Sequence, residues 1–236
     1  SAASDVYKRQ NQCYNNSLQD LDEVKAFEIN PVSVMNPSSE RMNTLRTTLH
    51  RGLFENLDFN FKNGSSNTLI YEYGTVFEKK GDTLKDINQV GNFSCLVHGN
   101  FYDKNVHFDS VGNNLFLLKG IATNSFAMLT KAKVKFIEDK HSYCDVFYRV
   151  VDGKKNTVGS IGMISDSFLK KLDISHKSNV CIMDINTSLF IEHYNHSIKV
   201  QDVVLFPVVN RDLNFKFDSS INPVSYTHLR AHETES

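Results

Sequence analysis

The densest group of side chains able to do chemistry lies in HGNFYDKNVHFD, which supplies His98, Asp103, His107 and Asp109. Imidazoles and carboxylates are the donors of zinc, manganese and non-haem iron sites, and they also serve as general acids and bases. His107 and Asp109 stand two apart, so on a strand they share one face. Hairpin register decides whether His98 joins them. With Lys104-Asn105 as a two-residue loop, His98 lies on the face of His107. With Asp103 to Asn105 as a three-residue loop, it turns to the opposite face. Asn105 tolerates the left-handed backbone that the longer loop needs, which favours the second register. A candidate metal or acid–base site of His98, His107 and Asp109 thus stands against a plainer reading, polar residues on the solvent face of a hairpin.

The remaining histidines offer less. His193 and His196 flank Tyr194-Asn195 at a spacing that suits a turn between strands. His50, His141 and His176 have no partner in the sequence and read as surface residues. His228 and His232 are four apart with Glu233 beside them, but a helical zinc motif needs Glu directly after the first His, and Leu229 stands there. No G-x-S-x-G elbow, no G-x-G-x-x-G and no G-x-x-x-x-G-K-[ST] occurs, so the common nucleophile and phosphate-cradle motifs are absent. Cys13, Cys95, Cys144 and Cys181 form no CxxC pair and read as mostly buried thiols. The chemistry predicts no catalytic residues and no cofactor.

These side chains need elements to hold them. At 236 residues, 40% of them hydrophobic and 22% charged, the chain is long enough to bury a core. Its formal net charge of -1 produces no global field favouring nucleic acid or an anionic membrane. No run approaches the roughly 18 apolar residues of a membrane span, and no charged-then-apolar leader opens the sequence. The ends, SAASDVYKRQ and PVSYTHLRAHETES, differ in composition from the Phe-, Asn-, Lys- and Ser-rich middle. Both resemble translated sequencing-adapter read-through, so residues 1–10 and 223–236 are set apart as non-native and the chain reads as a fragment.

Between the ends, Ser17 to Ile29 reads as a short acidic helix stopped by Pro31. A clearer helix is expected from about Pro37 to Asn56, with Met42, Leu45, Leu49 and Leu53 as its apolar stripe. Arg41, Arg46 and Arg51 lie mostly off that stripe and read as a solvated face, with phosphate contact as the alternative. From Leu57 the period changes from 3.6 to 2. FNFK, TLIYEYGTVFE, FSCLVHGNFYD, NVHFDSV, LFLLKGIA, FAMLTKAKVKFIED, YCDVFYRVV, SLFIEHYN and SIKVQDVVLFPVV read as strands, and Asp152-Gly153 reads as a hairpin turn. With little helix between them the strands must pair antiparallel. The expected fold is mainly β (α+β), antiparallel sandwich- or barrel-like sheets with one N-terminal amphipathic helix. The KKGDTLKDINQV stretch suggests a division into a helical and first-strand region, 11–86, and a β-rich domain, 87–222.

One segment is patterned like a known unit. VGSIGMISDSFLKKLDISHKSNVCIMDI runs strand, short helix, strand, with Ile161, Met163, Phe168, Leu169, Leu172, Ile174, Val180 and Ile182 at the apolar positions. It resembles the AbrB-type swapped-hairpin unit and one half of a double-psi barrel. Ser165 replaces that family's proline, Asp173 its turn glycine, and Ser178-Asn179 its Gly-Asp pair. The resemblance implies a topology and carries no function with it. Lys154, Lys155, Lys170, Lys171 and Lys177 make the neighbourhood basic, which suggests a weak nucleic-acid contact.

With no strong catalytic spacing, the expected function is a non-enzymatic binding, regulatory or structural protein of unknown ligand, cytoplasmic, with a protein or small-molecule partner and nucleic acid unlikely. The rivals are a metal-dependent or acid–base enzyme on His98, His107 and Asp109, and a basic nucleic-acid-binding module around 154–177.

Overall fold

The computed structural model describes residues 11–192, apart from residues 28, 82, 101–113, 131 and 175–178. The chain divides into two compact units, Ser1–His196 and Ser197–Ser236, and everything described belongs to the first. His107, Asp109, Asp103, Lys177, His176, the His193/His196 pair, the His228/His232 pair and the SIKVQDVVLFPVV strand lie outside the described residues.

Three short strands, β1 (Leu18–Gln19), β2 (Val32–Ser33) and β3 (Thr44–Leu45), form a small sheet in the order β1-β3-β2. The large sheet is built from β4 (Thr68–Lys79), β5 (Ile87–His98), β6 (Lys135–Asp139), β7 (Cys144–Val151), β8 (Thr157–Ile164) and β9 (Cys181–Asn186). Its order is β4-β5-β9-β8-β7-β6, and every pairing is antiparallel. The expected mainly-β, antiparallel fold is therefore what forms. The KKGDTLKDINQV stretch carries the turn of the β4–β5 hairpin, whose strands pair without a slip from Thr68↔His98 to Lys79↔Ile87. Thr83 stabilises that turn by donating through its backbone N–H and its hydroxyl to Asp86 Oδ2, at 3.0 and 2.7 Å.

Helices cover both faces of the large sheet. On one face, α2 (His50–Lys62) and α4 (Asp166–Lys171) bury Leu53, Phe54, Leu57, Phe168 and Leu169 against Ile70, Leu96 and Ile182. On the other, α3 (Asn114–Thr130) buries Leu118, Ala122 and Phe126 against Cys95, Val97, Val150, Ile161 and Met183. The alternation along β5 and β9 feeds both cores, because neighbouring residues of a strand point to opposite faces.

Several elements differ from the sequence reading. The first helix, α1, spans only Leu21–Lys25 and is capped by Asp20, whose side chain accepts from Asp22 N. The second does not start at Pro37. Residues Glu40–Met42 form one 3-10 turn capped by Ser39, and Thr44–Leu45 is strand, so Met42 and Leu45 do not share the α2 stripe. Helix α2 instead runs on through FNFK to Lys62, with Asn63 as its C-cap and Gly64 just beyond at a φ of 87°, open to glycine. LFLLKGIA and FAMLT, read as strands, are the single helix α3. Its buried positions Asn114, Leu118, Ala122, Phe126 and Thr130 recur every four residues. That stripe is hidden in the sequence because Leu115, Phe116, Leu117 and Ile121 make the helix apolar all round. SLFIE is likewise helical, in α5 (Thr187–Glu192), with Asn186 Oδ1 accepting from Ser188 N and Leu189 N at its start.

The strand–helix–strand reading of 158–185 holds, and Ser165 caps α4 by accepting from Phe168 N. However, β8 and β9 pair with each other and, on their outer sides, with β7 and β5. The segment is the middle of one sheet and not a swapped hairpin. Asp173, where the resembling family has glycine, takes a left-handed backbone at φ 56°.

Lys119 shows how α3 is fixed to the sheet. Its Nζ lies 3.3 Å from the Tyr148 ring centroid, with Phe136 at 5.5 Å and Phe116 at 5.7 Å. Lys119→Met keeps the apolar stem and removes the cation. It is expected to cost about 0.5–1 kcal/mol, read as a lower urea midpoint at unchanged slope. An unchanged midpoint would show that the ammonium contributes nothing there.

Candidate functional site

The chemically richest part of the described residues is a polar row across the large sheet. Glu72 on β4 stands opposite Ser94 on β5, Ser94 opposite Asp184 on β9, and Asp184 opposite Ser160 on β8. Directly opposed residues share a face, so four strands place these groups side by side. The face is the one covered by α2; the segment leading into α2 supplies Arg46, and the first residue of α2 is His50.

Arg46 Nη1 donates to Glu72 Oε1 at 2.6 Å, and Arg46 Nε donates to Thr75 O at 2.8 Å. Asn15 completes the carboxylate: its Nδ2 donates to Glu72 Oε2 at 2.6 Å and its backbone N–H donates to Oε1 at 3.3 Å. Asn56 holds Asn15 in turn through Oδ1 at 2.9 Å. The Arg46 and Glu72 side chains are only 6% and 2% exposed, which makes this a buried, hydrogen-bonded ion pair. Gly74 admits it, since a Cβ there would come within 2.1 Å of Arg46 Nη2.

Beside it, His50 Nε2 bonds Asp184 Oδ2, Asp184 Oδ1 accepts from Ser94 Oγ, and His50 Nδ1 meets Tyr143 Oη at 3.0 Å. An imidazole protonated at Nε2 satisfies all of these at once, donating to the carboxylate and accepting from the phenol. The chemical capacity is limited by this order. In a nucleophilic triad the histidine must touch the serine so as to take its proton. Here the carboxylate stands between them, and Ser94 is fully buried. The row is a closed network that fastens α2 to β5 and β9, with its acids and bases spent on each other.

The sequence candidates are not brought together. His98 ends β5 opposite Thr68, and His107 and Asp109 lie outside the described residues. Among the described residues no cluster of three or more His, Cys, Asp or Glu could hold a metal ion. Lys154 and Lys155 sit in the β7–β8 turn, whereas Lys170 and Lys171 end α4. The eight residues of β8 separate the two pairs, about 26 Å of strand. The surface readings of His50 and Arg46 are corrected: they are 4% and 5% exposed. Arg51, read as solvated, pairs with Glu23 at 2.7 Å and Glu55 at 3.0 Å, while Arg41 is exposed. One signal pointed this way. TLIYEYGTV places a carboxylate at an inward strand position, and CIMDIN sets one within an apolar run. A buried carboxylate needs a hydrogen-bonded partner.

All four cysteines are free thiols. Burial pushes Cys95 and Cys181 from the ordinary 9.0 up to about 12. Cys144 rises to about 12 as well, through burial first and then the nearby Asp184 and Asp145 carboxylates. A thiol that keeps its proton longer in the folded state contributes its full stability below pH 9 and loses it as pH climbs from 9 towards 12. The two fully buried thiols together predict a stability loss of about 3 kcal/mol per pH unit above 9. Urea unfolding across that window measures it, and Cys95→Ala/Cys181→Ala should flatten the slope. An equally steep slope in the double variant would assign the loss to other groups.

The fold and this sheet recur in known proteins. Two solved structures of Desulfitobacterium hafniense, a pyrrolysyl tRNA synthetase termed PylSc and a Pyrrolysyl-tRNA synthetase, superpose with TM-scores of 0.57 and 0.59 at 12% identity. The matches cover 80% and 81% of this chain, and 64% and 66% of theirs, and they show a shared fold. The profile of the Phenylalanyl tRNA synthetase beta chain CLM domain matches residues 9–187, and the chain belongs to that family. Curated relatives include the Phenylalanine--tRNA ligase beta subunits of Streptococcus agalactiae serotype V, 26% identical over 82% of this chain, and Bdellovibrio bacteriovorus, 25% identical over 78%. That of Thermotoga maritima is 22% identical over 90%. The chain spans 24%, 23% and 27% of these relatives, about a quarter of their length.

This membership overturns the functional expectation. The chain belongs to the phenylalanyl-tRNA synthetase beta chain CLM family and is not a binding protein of unknown ligand. Nor does nucleic acid remain an unlikely partner, since the relatives are tRNA ligases by name. The inference from a net charge of -1 failed because it covered one domain and left out the other three-quarters of the relatives' length. Among the described residues no helix is long and apolar enough to cross a membrane.

Proposed function

We propose that this chain is the part of a phenylalanine–tRNA ligase β subunit that carries the CLM domain, and that it works in joining phenylalanine to tRNA. The match of the family profile over residues 9–187 carries the reading. The synthetase fold of the sheet supports it independently. A β subunit implies a second kind of subunit, so the working unit is a hetero-oligomer that binds tRNA, in the cytoplasm. The closed Arg46–Glu72 and His50–Asp184–Ser94 network gives the domain a fixed sheet face within that assembly.

The test is aminoacylation. The complete β subunit carrying this domain, purified with its partner subunit, is expected to charge tRNA with phenylalanine, and deletion of residues 9–187 is expected to abolish charging. Charging that survives the deletion, or a pair that transfers no phenylalanine, would refute the reading.

A further inference from the structure

We propose that the corner of the large sheet where β6 begins and β7 turns into β8 holds the phosphate backbone of an RNA through Lys133, Lys135, Lys154 and Lys155, and, on the reading of the chain as part of a tRNA ligase, that this RNA is tRNA. Two separate stretches of sequence meet at this corner. Lys135 stands directly opposite Val151, and the β7–β8 turn starts at the next residue, Asp152. Val134 and Phe136 pack into the core beneath α3, which turns Lys133 and Lys135 outward, and all four lysines are exposed.

Among the described residues nothing neutralises them. The four ammonium groups make no ion pair and no hydrogen bond there. The carboxylates of β6, Glu138 and Asp139, lie toward its far end, and Asp139 is already paired with Arg149 at 2.6 Å. Asp152 is 6% exposed, and its carboxylate is taken up inside the turn. Uncompensated cations on one corner raise a local positive potential although the chain as a whole carries a formal charge of -1.

The turn is the second observation. The N–H groups of Lys154 and Asn156 donate to Asp152 Oδ1, both at 2.8 Å, Asn156 Nδ2 donates to Oδ2 at 3.1 Å, and Asp152 N–H donates to Asn156 O at 3.0 Å. Asp152 and Asn156 thus close the turn and hold it rigid with no help from a lysine side chain. Yet Lys155 takes a left-handed backbone at φ 68°, where a Cβ is strained and Gly or Asn fits better. Its ammonium makes no described contact that offsets the strain. Strain of this kind clusters at binding sites. The four cations spread over a strand start and a turn, which suits a run of phosphates and not one small anion.

Fluorescence anisotropy of labelled tRNA with the complete β subunit and its partner subunit tests the corner, with charging of the same tRNA measured alongside. Two variants each remove two positive charges: Lys154→Ala/Lys155→Gly at the corner, and Lys170→Ala/Lys171→Ala at the end of α4. At a salt concentration of about 0.1 M the corner variant is expected to bind tRNA about tenfold more weakly, and the fall of log K with log salt should become shallower by about 2. The α4 variant should bind like the parent. Glycine suits the left-handed position, so the corner variant should unfold at an equal or higher urea midpoint, which separates weaker binding from damage to the fold. A corner variant that binds tRNA like the parent, or an α4 variant that weakens binding equally, would overturn the assignment, while charging by the parent would leave the tRNA ligase reading standing. A parent that neither binds nor charges tRNA would refute both.

Discussion

Arg46→Ala is expected to destabilise the fold by about 3–5 kcal/mol, because it strands Glu72 as a buried carboxylate without its cation. Glu72 is 1% exposed, and the two donors that remain, both from Asn15, are neutral. The large number measures the broken pair, not the pair's net worth. A buried ion pair gains in attraction roughly what it loses in hydration, so replacing both partners by apolar groups of similar size is far milder. Arg46→Met/Glu72→Leu should therefore recover most of the loss, and the remaining deficit would come from Asn15, whose Nδ2 loses its acceptor. Urea unfolding of the single and double variants measures both values. A single variant within about 1 kcal/mol of the parent would mean that water reaches Glu72.

Phe54→Ala should cost as much by a different route. Phe54 is fully buried, stacked 6.5 Å from the Phe27 ring and tilted 6.1 Å from His50. Removing the ring forfeits its transfer energy and leaves a cavity among closely packed side chains, about 3–5 kcal/mol. Phe59 provides the control on the same helix. It is 67% exposed, and Phe59→Ala is expected to change stability by no more than about 0.5 kcal/mol. Thermal or urea unfolding of the pair decides whether α2 faces the sheet as described. Similar losses at both positions would contradict the burial of one and the exposure of the other.

The fold was legible where one residue in two carries the pattern. TLIYEYGTVFE, YCDVFYRVV and the 158–185 segment carry strand-forming patterns between clear breakers, and each forms the strand or strand–helix–strand expected of it. It was not legible where apolar residues leave no polar face. LFLLKGIATNSFAMLT covers its buried four-residue stripe with leucines, and its aromatic and β-branched residues suit a strand equally well. SLFIE failed similarly, being too short to display a helical period. The polar network was nearly invisible for another reason. Arg46 and Glu72 are 26 residues apart, and His50 and Asp184 are 134 apart, so no local spacing connects them. Arg46 and His50 read as surface groups, and only the inward position of the two carboxylates hinted at partners. The HGNFYDKNVHFD cluster drew attention because its residues are close in sequence, a poor guide to which side chains meet in a sheet.

The order β4-β5-β9-β8-β7-β6 puts the last of the described strands, in sequence, in the interior of the sheet. Until β9 arrives, the chain can form only two separate pieces, the β4–β5 hairpin and the β6–β7–β8 meander, with β5 and β8 each presenting an unpaired edge. Ser94 and Asp184, which close the seam on one side, are separated by 90 residues. Closing so long a loop is slow relative to hairpin formation, and apolar edges left open meanwhile are templates for wrong pairing. During synthesis both inner edges stay bare until residue 186 has left the ribosome. The interval between the emergence of β8 and that of β9 is thus when this sheet is most exposed to aggregation. Substitutions that weaken β9 pairing should reduce yield before they reduce the stability of whatever folds.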